Sequence, residues 1–121
     1  MSDTTNTISS PGACLADRRC VACSGGTLPL RGLEVLKMLS QTPEWVVIEE
    51  HHITRTFKFP DFPKALAFVN RVGALAEEQG HHPLIRFTWG KATIDLWTHK
   101  VGGLSESDFI LAAKIDRLTT D

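Results

Sequence analysis

Residues 53–80 read ITRTFKFPDFPKALAFVNRVGALAEEQG, and two hydrophobic periods meet within them. Ile53, Arg55, Phe57 and Phe59 alternate with Thr54, Thr56 and Lys58, the period of two expected of a strand with one face buried. From Asp61 onward the period changes. Phe62, Ala65, Leu66, Val69, Val72 and Ala76 fall at spacings of three and four, which predicts an amphipathic helix over Asp61–Gln79 with Asp61 as its N-cap. Gly80 stands where a left-handed residue ends a helix, and Pro83 prevents any continuation.

Similar units lie on both sides. Upstream, Leu33–Leu39 suits a short helix, Thr42-Pro43 punctuates the chain, and the aromatic and β-branched run Trp45–Ile48 predicts a strand joined to residues 53–59 by a polar turn over Glu49–His52. Downstream, Ile85, Phe87 and Trp89 alternate with Leu84, Arg86 and Thr88. Gly90-Lys91 then makes a turn, and Ala92–Thr98 returns with Ile94 and Leu96 on one face. Gly102-Gly103 ends that strand, and Ser105-Glu106-Ser107-Asp108 has the form of a capping signal for a last helix with Leu111, Ala112, Ile115 and Leu118 on its apolar side. The order α-β-β-α-β-β-α with hairpin-length links predicts an α+β fold, a four-stranded antiparallel sheet with three helices packed on one face.

The first 19 residues show neither period, and we expect a flexible N-terminal arm over 1–26 with the folded domain over 27–121. The arm carries Cys14, Cys20 and Cys23. Cys20-x-x-Cys23 lacks the second pair that a zinc site wants, and an odd count without a signal peptide fits reduced thiols of a cytoplasmic protein. Thirteen Lys and Arg oppose fourteen Asp and Glu, and the cations are scattered from Arg18 to Arg117. That distribution argues against nucleic acid or an anionic membrane as partner. No apolar run exceeds five residues, Phe109–Ala113 among them, so no membrane span is expected.

Five histidines stand out, four of them in the pairs His51-His52 and His81-His82. His51-His52 falls in the turn beside Glu49 and Glu50, where a solvated role is expected. His81-His82 follows the helix end at Gly80, four residues beyond Glu77, and His99 lies at the end of the last strand. One end of the sheet thus gathers three imidazoles and a carboxylate. Imidazole, with an unperturbed pKa of about 6.5, serves as acid or base near neutrality. The pattern lacks the spacing of a helical zinc site, and no metal is expected. Trp45 and Trp89 are expected in the core or an interface, while Trp97 shares the Thr93-Asp95-Trp97-His99 face of its strand.

The run Glu77-x3-His81-His82-Pro83-x5-Trp89-x9-His99-x8-Asp108 resembles the signature of the pterin-4a-carbinolamine dehydratases. So do Trp45, Phe57-Lys58-Phe59 before Asp61-Phe62, and Gly103-Leu104-Ser105-x-x-Asp108. The likeness covers Leu33 to Leu118. It implies an enzyme that dehydrates 4a-hydroxytetrahydrobiopterin to the quinonoid dihydropterin, using no cofactor and supporting tetrahydrobiopterin recycling. It implies His81, His82 and His99 as the catalytic trio. Glu77 would hold the pterin's polar edge or orient His81, Trp45 would form pocket wall, and Pro83 and Asp108 would complete the substrate site. Gly80 stands where many relatives have an acidic residue, Ser107 where some have a basic one, and Leu84-Ile85 replaces a polar-aromatic pair.

Proteins of the same resemblance also include non-catalytic Rubisco assembly factors and a dimerisation cofactor of a transcription factor. Under that alternative the partner would be the Rubisco large subunit. Either role implies a homodimer or homotetramer, because helices on one face leave the sheet's other face to be covered.

Overall fold

The computed structural model describes residues 12–20 and 27–120. Three helices, α1 (Leu33–Leu39), α2 (Phe62–Gln79) and α3 (Glu106–Arg117), accompany four strands, β1 (Val46–Ile48), β2 (His52–Lys58), β3 (Leu84–Thr88) and β4 (Lys91–Leu96). The element order is the expected one. The strands form one antiparallel sheet in the order β1-β2-β4-β3, so the second hairpin closes onto the first through the β2–β4 pairing.

Strand register turns the period of two into rows. Val47, Ile53 and Leu96 lie side by side on the inner face, as do Arg55, Ile94 and Ile85, and then Phe57, Ala92 and Phe87. Against them pack Phe68 and Val72 of α2 and Phe109, Leu111, Ala112 and Ile115 of α3. Val35, the one buried residue of α1, joins the same core. Polar groups of the outer face are bonded to one another. Thr54 donates to Asp95 at 2.6 Å, Arg86 to both oxygens of Asp95 at 3.2 and 3.0 Å, and the hydroxyls of Thr56 and Thr93 meet at 2.9 Å. The same face also carries exposed Val46 and Leu84, opposite Thr54 and Asp95.

The structure revises three local expectations. The second turn is Trp89-Gly90, with Thr88 paired to Lys91, one residue earlier than expected. Trp89 therefore leaves the alternating row and is 67% exposed rather than in the core. His52 belongs to β2 and pairs with Ile48, and β4 stops at Leu96, so that His99 sits in a 3-10 turn, His99–Val101. Of the expected arm, residues 1–11 and 21–26 lie outside the described residues, but Gly12–Asp17 forms a 3-10 helix against α3. Leu15 is 3% exposed there, Lys114 donates to the carbonyl of Ala16 at 2.7 Å, and Arg18 pairs with Glu106 at 2.8 Å. An apolar side chain in the core and tethers to α3 hold this part in place.

Beyond the 3-10 turn, the amide of Thr98 donates to Gly103 at 2.8 Å and that of Leu30 to Leu104 at 2.8 Å, which stitches the incoming chain to the start of α3. A Cβ on Gly103 would stand 2.9 Å from the Pro29 ring, whereas one on Gly73, exposed in α2, would meet nothing within 4 Å. Gly103→Ala is expected to lower unfolding free energy by about 1–3 kcal/mol. Gly73→Ala is expected to raise it by about 0.5–1 kcal/mol, through helix propensity and reduced freedom of the unfolded chain. Urea unfolding of both variants reads the opposite signs; equal effects of one sign would refute the packing account.

Candidate active site

The end of α2 fixes the histidine pair by backbone geometry. Gly80 adopts φ 66°, its amide reaches Glu77, and the His81 amide reaches back to Ala76 at 3.2 Å. This is a Schellman closure, in which the second residue past the helix is tied to the last turn. His81 is thereby turned towards the start of α3, and His82 back along α2.

The Nε2 of His81 lies 2.6 Å from Oδ1 of Asp108, a residue with no exposed surface. Oδ2 of Asp108 accepts the Thr98 hydroxyl and the Ser105 amide, both at 2.9 Å. The Thr98 hydrogen is spent on that carboxylate, so the Ser105 hydroxyl, 2.7 Å away, must donate to the Thr98 oxygen. Asp108 closes the capping box of α3 with one oxygen and holds the imidazole with the other. Every neighbour of this carboxylate is a donor, so the network assigns a hydrogen to Nε2 of His81 and leaves Nδ1 for a substrate. His82 repeats the arrangement in solvent, its Nε2 being 2.9 Å from Oε1 of Glu77, with both side chains mostly exposed.

His99 is near this group in the chain's path through Thr98. Thr98, its neighbour, is bonded to Asp108, while the His99 ring rests against Trp97 at 4.9 Å. His51 and His52 approach the same indole at 5.5 and 6.0 Å, and their Nδ1 atoms are 3.1 Å apart. The two histidine pairs are thus less separate than their positions in the chain suggest, since the indole of Trp97 brings His51 and His52 beside His99.

Several expected roles change. Glu77 is bonded to His82 and not to His81, because the left-handed step at Gly80 turns His81 away from the last turn of α2. Asp108 is buried and acts on His81, so it is not a surface that substrate reaches. Trp45 is 2% exposed, with its indole N–H on Asp116 at 2.9 Å and its ring edge-on to Phe57; it belongs to the core rather than to a pocket wall. Burial pushes the Asp116 carboxyl up, and the bonds from Trp45 and Arg55 partly offset this. Pro83 follows the pair at an intermediate depth, and Ser107 is buried. Sequence reasoning missed Thr98 and Ser105 as supports of the site. The capping signal over Ser105–Asp108 was the available clue to Ser105.

Cys20 is half-buried, its amide on Gln79 at 3.0 Å and its Sγ 3.5 Å from the Ser107 carbonyl, and burial pushes its thiol up to about 11. Cys23 lies outside the described residues. Among the described residues no group of three or more His, Cys, Asp or Glu is placed to hold a metal ion, and no helix is long and apolar enough to cross a membrane.

The family model for pterin 4 alpha carbinolamine dehydratase matches residues 29–118. The chain belongs to this family. A protein of Rubrobacter xylanophilus that carries the family's name is 57% identical over 104 residues, covering 86% of this chain and 97% of its own. One of Rickettsia bellii with the same name is 49% identical over 105 residues, covering 86% and 93%. Among solved structures, a transcriptional coactivator/pterin dehydratase of Brucella melitensis superposes with a TM-score of 0.70 at 30% identity, covering 74% of this chain and 96% of that one. A pterin dehydratase-like protein described as a RuBisCO assembly factor in the alpha-carboxysome gives 0.54 at 27%, covering 62% and 88%.

Three outcomes follow from the geometry. Asp108→Asn turns an amide towards donors and should cost about 1–3 kcal/mol in urea unfolding, as for a buried group left unsatisfied. Glu77→Gln, on an exposed pair, should change stability by less than about 0.5 kcal/mol. With Cys14 and Cys23 replaced by Ser, Cys20 should react with iodoacetamide at pH 8 about a hundredfold more slowly than a free cysteine, and its rate should still be rising above pH 10. A plateau near pH 8.5 would refute the burial effect on the thiol.

Proposed function

We propose that this chain dehydrates 4a-hydroxytetrahydrobiopterin, the pterin 4a-carbinolamine, to the quinonoid dihydropterin. The observation that carries the reading is the pairing of His81 with a buried carboxylate that has only donors around it. In the reaction the C4a–O bond breaks and the hydroxyl leaves as water with a proton supplied to it. The N5–H bond gives up its proton, and its electron pair forms the new N5–C4a double bond. Hydrogens balance with one acid and one base, and no electron acceptor is needed.

His81 and His82 each have Nε2 on a carboxylate and Nδ1 left over, so either delivers or removes a proton at Nδ1. The carboxylate behind each ring holds the ring in place while it acts. His99 completes the trio beside Trp97, which offers a flat surface to a planar bicycle. Pro83 forms the edge next to the pair, and Glu77 acts through His82. In the cell this activity would regenerate tetrahydrobiopterin after a hydroxylase turns over. Exposed Leu33, Leu36, Val46 and Leu84 support the homodimer or homotetramer that belongs to this reading.

A second reading, a non-catalytic role in assembling Rubisco, rests on the likeness to the carboxysomal protein. It gives no part to two histidine–carboxylate pairs. The deciding experiment adds purified protein to freshly generated 4a-carbinolamine and follows the ultraviolet change of dehydration. The wild type should exceed the spontaneous rate, and His81→Ala and His82→Ala should each lower kcat by about a hundredfold. If the wild type matches the spontaneous rate, the enzymatic reading fails, and co-purification of the Rubisco large subunit would then establish the second one.

A further inference from the structure

Cations scattered along the chain are gathered by the fold into one wall. Arg55 and Lys58 come from β2, and Lys64 and Arg71 from α2. The last two are seven apart, about two helical turns, and so share a helix face. Together with Phe59 and Thr119 they line a cavity of about 540 Å³ between the end of β2, the first half of α2 and the turn after α3. That volume falls within the roughly 300–1,000 Å³ of small-molecule sites. No Asp or Glu is among its lining residues, in a chain whose formal net charge is −1.

We propose that this cavity binds a small phosphate-bearing molecule. Arg55 is the preorganised cation. Its NH1 is 2.6 Å from Asp116, and its guanidinium lies 4.3 Å from the centre of the Phe57 ring, which fix the head while using one of its five donors on the carboxylate. Lys58 and Lys64, both exposed, stand at the rim, and among the described residues neither has a salt-bridge partner. A fixed fork below and mobile ammonium groups above suit a tetrahedral oxyanion of more than one charge. The aromatic cluster of Phe57, Phe59 and Phe68, with ring centroids 4.7 and 5.1 Å apart, ends at half-buried Phe59, whose edge offers apolar surface to the ligand's body. A nucleic-acid strand would need the cations to continue as a stripe, whereas these converge on one concavity. The cavity is not the pterin site. Lys64 and His81 stand at opposite ends of α2, about 25 Å apart at the helical rise.

Inorganic pyrophosphate is the probe. Calorimetric titration of the full chain should give saturable 1:1 binding, with amide NMR shifts confined to residues 55–71 and 118–119. Lys64→Gln and Lys58→Glu should each weaken binding about tenfold, the loss of one charge-assisted contact. Lys37→Glu, outside the cavity, should not, and dehydration of the carbinolamine should be unchanged in the two rim variants. No saturable binding at millimolar probe, equal weakening by Lys37→Glu, or shifts centred elsewhere would overturn the site. A single-stranded oligonucleotide that binds more tightly than pyrophosphate would overturn the assignment to a small ligand. Loss of dehydratase activity in His82→Ala with pyrophosphate binding intact would separate this proposal from the pterin reading.

Discussion

Asp108 has no exposed surface and sits among donors: the imidazole of His81, the hydroxyl of Thr98 and the amide of Ser105. A buried carboxylate is costly unless its lone pairs are filled, and here three different parts of the chain fill them. The end of β4, the start of α3 and the turn after α2 must all be in place for the site to be satisfied. One residue therefore couples the capping of a helix to the orientation of a histidine. The second pair, His82 with Glu77, depends on solvent and a flexible carboxylate, and supplies the same chemistry without the same constraint.

The periodic parts of the fold were legible because burial imposes them residue by residue. Ile53, Arg55 and Phe57 alternate since the sheet has one covered face, and α2 could be bounded at both ends from Asp61 and Gly80, whose roles are local. Turns were less legible. Trp89 was expected to continue its strand, but the two-residue turn forms at Trp89-Gly90, a difference of one position that moves an indole from core to solvent. The direction of the histidines was not legible at all. Helical spacing would bring Glu77 and His81 together, yet the left-handed step at Gly80 redirects the chain, and the partner of His81 comes from 27 residues further on.

The tryptophans show the same limit from the opposite side. Trp45 was assigned to a pocket wall on resemblance, and Trp97 remained without a role. In the structure Trp45 is held in the core by Asp116, which also takes Arg55, so that burial of one carboxylate orders both an indole and a guanidinium. Trp97 stands among His51, His52 and His99. Their positions in the sequence give no hint of this, because β2 and the end of β4 become neighbours only when the two hairpins pair.

Charge follows the same logic as aromatic contact. Evenly scattered cations and a net charge near zero argued that no surface had a concentrated positive field. Position along the chain does not show which cations the fold brings together. Strand pairing and helix periodicity bring Arg55, Lys58, Lys64 and Arg71 to one concavity, while Asp108 goes to His81, Asp95 to Thr54 and Arg86, and Glu77 to His82. Asp116 meets the cationic wall at Arg55, and what it does there is hold that guanidinium in position. A chain that is neutral on average can therefore present a histidine–carboxylate site at one end of α2 and a cavity lined by cations, with no Asp or Glu in its lining, at the other. The two ends offer different chemistry to a ligand: imidazoles held by carboxylates at one, cationic side chains at the other.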